Sequence, residues 1–129
     1  MPHLRIEYSS GLADRADIAG LCRAVHQAMI GAGIFPLAGI RVRAYAADHA
    51  IVADGLPEND FAALTLSVGA GRGKDALAEA GARIMTAAET ALAGPLSSPH
   101  FALSLEIRVI DPDLSWKNTP IHARLSGKS

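Results

Sequence analysis

The sequence predicts an α/β fold of two tandem βαβ units, forming a four-stranded sheet with both helices on one face. Three observations predict it. An alternating strand pattern opens each half of the chain; an apolar stripe at helical spacing follows each one; and a second alternating strand closes each half. The order therefore occurs twice, over about 2–54 and again over 61–110, leaving 111–129 as a tail to a single domain spanning 1–129.

The first strand runs from His3 to Ser9 with Leu4, Ile6 and Tyr8 on one face. Ile18, Leu21, Cys22, Val25 and Met29 then follow a 3.6-residue stripe, and Gly31 and Gly33 stop that helix. Pro36-Leu37 leads into a strand from Ile40 to Tyr45. Gly55-Leu56-Pro57 joins the halves. The second half brings a strand from Phe61 to Val68, with Leu64, Leu66 and Val68 on one face. A helix from about Asp75 carries Leu77, Ala80, Ile84, Ala88 and Ala91 and stops at Gly94-Pro95. A long strand follows, in which Phe101, Leu103, Leu105, Ile107 and Val109 alternate with Ala102, Ser104, Glu106 and Arg108. Right-handed crossovers put both helices on the same side, so the other sheet face is left open to association with further chains.

Bulk properties narrow the function. Half of the residues are hydrophobic and 19% are charged, which excludes a disordered chain. A formal net charge of −1 gives no footprint for nucleic acid or a membrane surface, so any cationic site must be local. No stretch approaches the roughly 20 apolar residues of a membrane span. Charged Arg5 and Glu7 interrupt any leader-like run, and one cysteine, Cys22, allows no internal disulfide; a cytoplasmic protein is expected.

Pro2 is the residue with the most chemical potential. Proline is tolerated at the first residue of a strand because its missing N–H breaks no ladder bond. Removal of Met1 exposes its nitrogen as a secondary amine, whereas a retained Met1 would cap it as an amide. An N-terminal amine titrates near neutrality, and burial beside cations favours its uncharged form, a base suited to pH 7. Gly69-Ala70-Gly71-Arg72-Gly73-Lys74 lies between strand and helix, where phosphate loops occur, yet it fits neither fingerprint. Lys74 stands where a dinucleotide loop needs glycine, and Val68 and Asp75 stand where a P-loop needs glycine and a hydroxyl. What remains is a tight turn presenting Arg72 at a helix N-terminus, a cradle for carboxylate or phosphate. Arg41 and Arg43 alternate with Ile40, Val42 and Ala44 and share a face, suited either to intersubunit ion pairs or to anions in a cleft. The five histidines have no ligand-like spacing, so no metal is expected. Cys22 lies on an apolar stripe as a small core residue, Glu7 and Glu106 are solvated or interfacial, and Trp116 in the tail is an apolar anchor.

Pro2 opening a strand, Arg41 at the start of the second and Arg72 after the third together resemble the tautomerase superfamily. Pro2-His3, the stretch from Gly33 to Arg41 and Gly69-Ala70-Gly71-Arg72 are similar to the 5-carboxymethyl-2-hydroxymuconate Δ-isomerase branch nearly letter for letter. Weaker similarity runs through 103–107 to Trp116-Lys117 and His122-Ala123. The resemblance implies a cofactor-free isomerase of homoprotocatechuate degradation, acting on a small polycarboxylate enol. In it Pro2 shuttles the proton, Arg41 and Arg72 hold carboxylates and stabilise charge, and Trp116 borders the substrate. It also implies a homotrimer with one site per chain. A tautomerase of another 2-hydroxy-dienoate, and a non-catalytic oligomeric binding protein, are the alternatives.

Overall fold

The computed structural model describes residues 2–126; Met1, on whose removal a free Pro2 amine depends, lies outside the described residues. Four strands, β1 (His3–Ser9), β2 (Arg41–Ala47), β3 (Asp60–Gly69) and β4 (Phe101–Ile110), form one sheet in the order β2-β1-β3-β4. β1 pairs parallel to β2, β3 pairs parallel to β4, and β1 and β3 are antiparallel. This mixed sheet with its helices is the predicted α/β architecture.

The alternation in each strand decides the layering. Leu4 and Ile6 stand opposite Leu66 and Leu64, and these stand opposite Ile107 and Leu105, so one face is a continuous apolar surface. Two helices cover it, α1 (Ile18–Gly31) and α2 (Lys74–Ala91). α1 contributes buried Leu21, Val25 and Met29, and α2 contributes Leu77, Ala80, Ile84 and Ala88. Fully burying each large side chain stabilises by about 1.5–3 kcal/mol relative to leaving it exposed. Asp17 caps α1 by accepting from the Gly20 N–H at 2.9 Å. Gly33, at φ 74°, takes the left-handed conformation that turns the chain away after α1.

Several element boundaries differ from expectation. β2 starts at Arg41 and runs on to Ala47. Pro95 does not end the second helical region but sits in the first turn of a short α3 (Ala93–Leu96), where its missing N–H costs nothing. The tail, unassigned from sequence, holds α4 (Pro120–Leu125), with Pro120 opening it in the same way.

The topology sets where chemistry can occur. β1 and β2 begin, and β3 and β4 end, at the same edge of the sheet. Pro2, Arg41, the turn after Gly69 and the tail after Ile110 therefore converge there, although they are far apart along the chain.

Candidate active site

Pro2 is fully buried at this edge, and its carbonyl accepts the first cross-strand hydrogen bond from the Arg41 N–H at 3.1 Å. That bond seats the start of β1 against the start of β2 and sets the register in which His3 stands directly opposite Arg41. Both side chains project to the open face of the sheet. Arg41 Nη1 lies 2.8 Å from His3 Nε2 and 3.4 Å from the Gly39 carbonyl. Pro2 and Arg41 are thus brought together through their backbones, and the Arg41 side chain meets His3, the residue after Pro2.

Arg72 reaches the same edge from the β3–α2 turn. Gly71, at φ 113°, supplies a conformation that side-chain-bearing residues rarely adopt, and this turn sends Arg72 back over the α1–β2 loop. Arg72 donates from Nε to the Ile34 carbonyl at 3.0 Å and from Nη1 to the Gly69 carbonyl at 3.4 Å. Its guanidinium carbon sits 5.1 Å from the centroid of the buried Phe35 ring, within cation–π range. The arginine is a clamped, preorganised cation rather than a mobile surface one.

A cavity of about 220 Å³ opens beside these groups, lined by His3, Gly69, Ala70, Ile110, Trp116 and Lys117 among others. Trp116 stands 85% exposed on its wall, so it borders the cavity without being an anchor buried in this chain. Lys117 also borders an adjoining groove of about 260 Å³ with Pro36, Gly39 and His122. Burial above all, then the positive charges of Arg41 and Arg43, with a lesser contribution from Lys117, hold the His3 pKa below its ordinary 6.5. No carboxylate lines this cavity among the described residues, and Lys117 is its one cationic lining residue, so the wall suits an anion.

The opposite end of the sheet is furnished differently. Asp60 precedes the first helix-facing residue of β3, Ala62, by two positions, as Pro2 precedes Leu4 in β1. Its buried carboxylate accepts from the Ser9 hydroxyl at 2.7 Å and forms an ion pair with Arg15. Ser9 Oγ in turn accepts from the Phe61 N–H at 2.9 Å. A larger cavity of about 530 Å³ lies here, bordered by two carboxylates, Asp48 and Asp60, of which Asp60 is paired with Arg15.

Elsewhere the side chains follow ordinary rules. Cys22 is half-buried at the margin of the core, and burial pushes its thiol pKa up despite Arg23, as expected of an unreactive packing residue. Glu106 pairs with Arg108 at 2.9 Å on the exposed face of β4, and Glu7 lies 3.6 Å from Arg5 Nε. Sequence reasoning passed over His3, Phe35 and Lys117. Only the parallel register of β1 and β2 reveals that His3 meets Arg41, although its place on the same alternating face was a usable signal.

Comparison with known proteins bears on this arrangement directly. The family model described as 5-carboxymethyl-2-hydroxymuconate isomerase matches residues 2–125. An Escherichia coli 5-carboxymethyl-2-hydroxymuconate Delta-isomerase is 38% identical over 125 residues, covering 95% of this chain and 98% of that protein. The crystal structure of a 5-carboxymethyl-2-hydroxymuconate isomerase from Deinococcus radiodurans R1 superposes with a TM-score of 0.88 at 32% identity, covering 95% of this chain and 92% of that one. A fused 4-OT chain, described as a wild-type asymmetric trimer, shares the fold alone: TM-score 0.68 at 19% identity, covering 97% of this chain and 98% of that one. With near-complete coverage in sequence and in fold, the chain belongs to the 5-carboxymethyl-2-hydroxymuconate isomerase family.

Proposed function

We propose that this chain isomerises 5-carboxymethyl-2-hydroxymuconate to 5-carboxy-2-oxohept-3-enedioate in homoprotocatechuate degradation, with the amine of Pro2, freed by removal of Met1, as proton shuttle. One observation carries the reading: the backbone bond from the Arg41 N–H to the Pro2 carbonyl seats both residues at one end of the sheet, which Arg72 also reaches, and the cavity there is bordered by Lys117 and by no carboxylate among the described residues.

The chemistry balances without a co-reactant. The neutral Pro2 nitrogen takes the proton of the 2-hydroxyl; the diene electrons shift so that the oxygen becomes a ketone; and the protonated amine returns the proton to carbon 5. A group serving as base and then acid works best with a pKa near the working pH. Negative charge spreads along the dienolate in between, and fixed guanidinium groups aimed at it stabilise that state with little reorganisation.

The two arginines suit different tasks. Arg41 has Nη1 engaged by His3 and Gly39, which leaves Nε and Nη2 as a two-donor edge for a carboxylate. Arg72 has Nε and one hydrogen of Nη1 engaged by backbone carbonyls, which leaves Nη2 and the second Nη1 hydrogen to donate to the developing enolate. Trp116 shields the substrate chain at the cavity wall.

Assembly as a homotrimer completes this reading. On the open sheet face Arg5 Nε is buried with no hydrogen-bond partner among the described residues, its nearest carboxylate being Glu7 at 3.6 Å, and Thr65 is 8% exposed on the face opposite α1 and α2. A face of this kind suits burial against another copy, and the trimeric 4-OT neighbour shares the fold. One Pro2, one Arg41 and one Arg72 per chain give three sites per trimer. An ultraviolet assay of hydroxymuconate loss, on protein whose N-terminus is verified as Pro2 by mass, tests the function; no turnover would sink it.

A further inference from the structure

The contact between His3 and Arg41 has a consequence for how the arginine meets its ligand. Arg41 Nη1 lies 2.8 Å from His3 Nε2, and a guanidinium can only donate. Nε2 is therefore the acceptor, and the neutral ring carries its proton on Nδ1. Nη1 also points at the Gly39 carbonyl, 3.4 Å away, so both of its hydrogens are committed inside the protein. Nε and Nη2 have no hydrogen-bond partner among the described residues. The free edge of the guanidinium is thus selected by the groups that hold the opposite nitrogen.

We propose that His3 is the positioning residue for Arg41: its neutral imidazole accepts from Nη1 and turns the Nε–Nη2 edge toward a substrate carboxylate. This rests on the reading of Arg41 as a carboxylate holder. The charged groups facing the ring are Arg41 and Arg43 from β2 and Lys117 from the tail, while β3 places uncharged Ser67 opposite it. None is a carboxylate, so nothing there favours an imidazolium. Protonation would remove the acceptor and set two cations in contact. Because the pKa in the folded chain lies below 6.5, the pair is intact at and above that pH and is lost as pH falls through the lowered value.

Two measurements on the full chain test it. Nitrogen-detected NMR of the free protein at pH 7 should show His3 neutral with its proton on Nδ1, and Arg41→Gln should raise its titration midpoint. A proton on Nε2, or an imidazolium at pH 7, overturns the proposal whether or not the protein is an isomerase. In steady-state kinetics, His3→Phe should raise KM for the hydroxymuconate by about tenfold while kcat stays within about threefold, the scale of one misaligned charge-assisted contact. His3→Gln, which keeps an acceptor but cannot titrate, should restore KM to within about threefold and remove its rise on acidification. Unchanged KM in a folded His3→Phe protein, or an acid-dependent KM persisting in His3→Gln, contradicts the role. If the parent turns over no hydroxymuconate, the functional reading fails on its own and the NMR result alone decides the pairing.

Discussion

Pro2, Arg41 and Arg72 are each held by backbone contacts before any substrate arrives, which makes their replacement a matter of lost placement as well as lost chemistry. Pro2→Ala, with Met1 removed, keeps an amine but gives up the ring that fixes it. A loss of about 10²-fold or more in kcat is expected, the scale of a positioned acid–base group, and stopped-time ultraviolet assays check it. Activity within about threefold of the parent would remove Pro2 from the mechanism. Arg41→Ala and Arg72→Ala each delete a charge-assisted donor. Each should lower kcat/KM by roughly tenfold to a hundredfold, corresponding to about 1.5–3 kcal/mol, with circular dichroism unchanged. The split should differ under the proposed roles: Arg41→Ala should act mainly on KM if Arg41 grips a carboxylate present throughout, and Arg72→Ala mainly on kcat if its remaining donors meet charge that develops during reaction. Identical, purely KM-based losses would show that both arginines serve binding alone.

Among the elements, the strands and the two long helices were legible in the sequence because their apolar periods, two and 3.6, match the faces they bury. Leu4, Ile6, Leu64 and Leu66 stand in the core as their alternation requires. Short helical turns were not legible: α4 offers only six residues, too few for a periodic stripe. Nor were contacts that depend on strand register. Nothing local in the sequence joins Arg15 to Asp60 across 45 positions, or His3 to Arg41 across 38. Pro2 and the two arginines could be singled out because their chemistry is written in residue type, while their hydrogen-bond partners are written in topology. The Arg15–Asp60 pair belongs to this scale, since it ties the turn after β1 to the start of β3. Removing one partner of a buried pair strands a charge, a cost of about 3–5 kcal/mol when both are dry. Arg15 is partly solvated, so Arg15→Met should destabilise by about 2 kcal/mol in urea unfolding, with kcat per folded chain unchanged. Unaltered stability would mean that solvent replaces the arginine at no cost.

At the scale of the whole molecule, a sheet covered on one side only has to find a second cover, and its open face already holds a buried guanidinium nitrogen and a buried threonine. A trimer of 13.4 kDa chains with three carboxylate-binding sites is expected from light scattering and inhibitor titration, and a stable, fully active monomer would contradict it. The repeat within each chain should not double the sites, because the proposed base is an N-terminal proline amine, and the other end of the sheet holds the Arg15–Asp60 ion pair instead. The central claim is that the nitrogen of Pro2 does the proton transfer. The most direct measurement is hydroxymuconate turnover by two preparations of the same chain, one beginning at Pro2 and one retaining Met1, each verified by intact mass. The Pro2 preparation should be active and the Met1 preparation inactive down to its residual content of processed protein, because an amide nitrogen cannot act as a base. Equal turnover by the two would contradict the account.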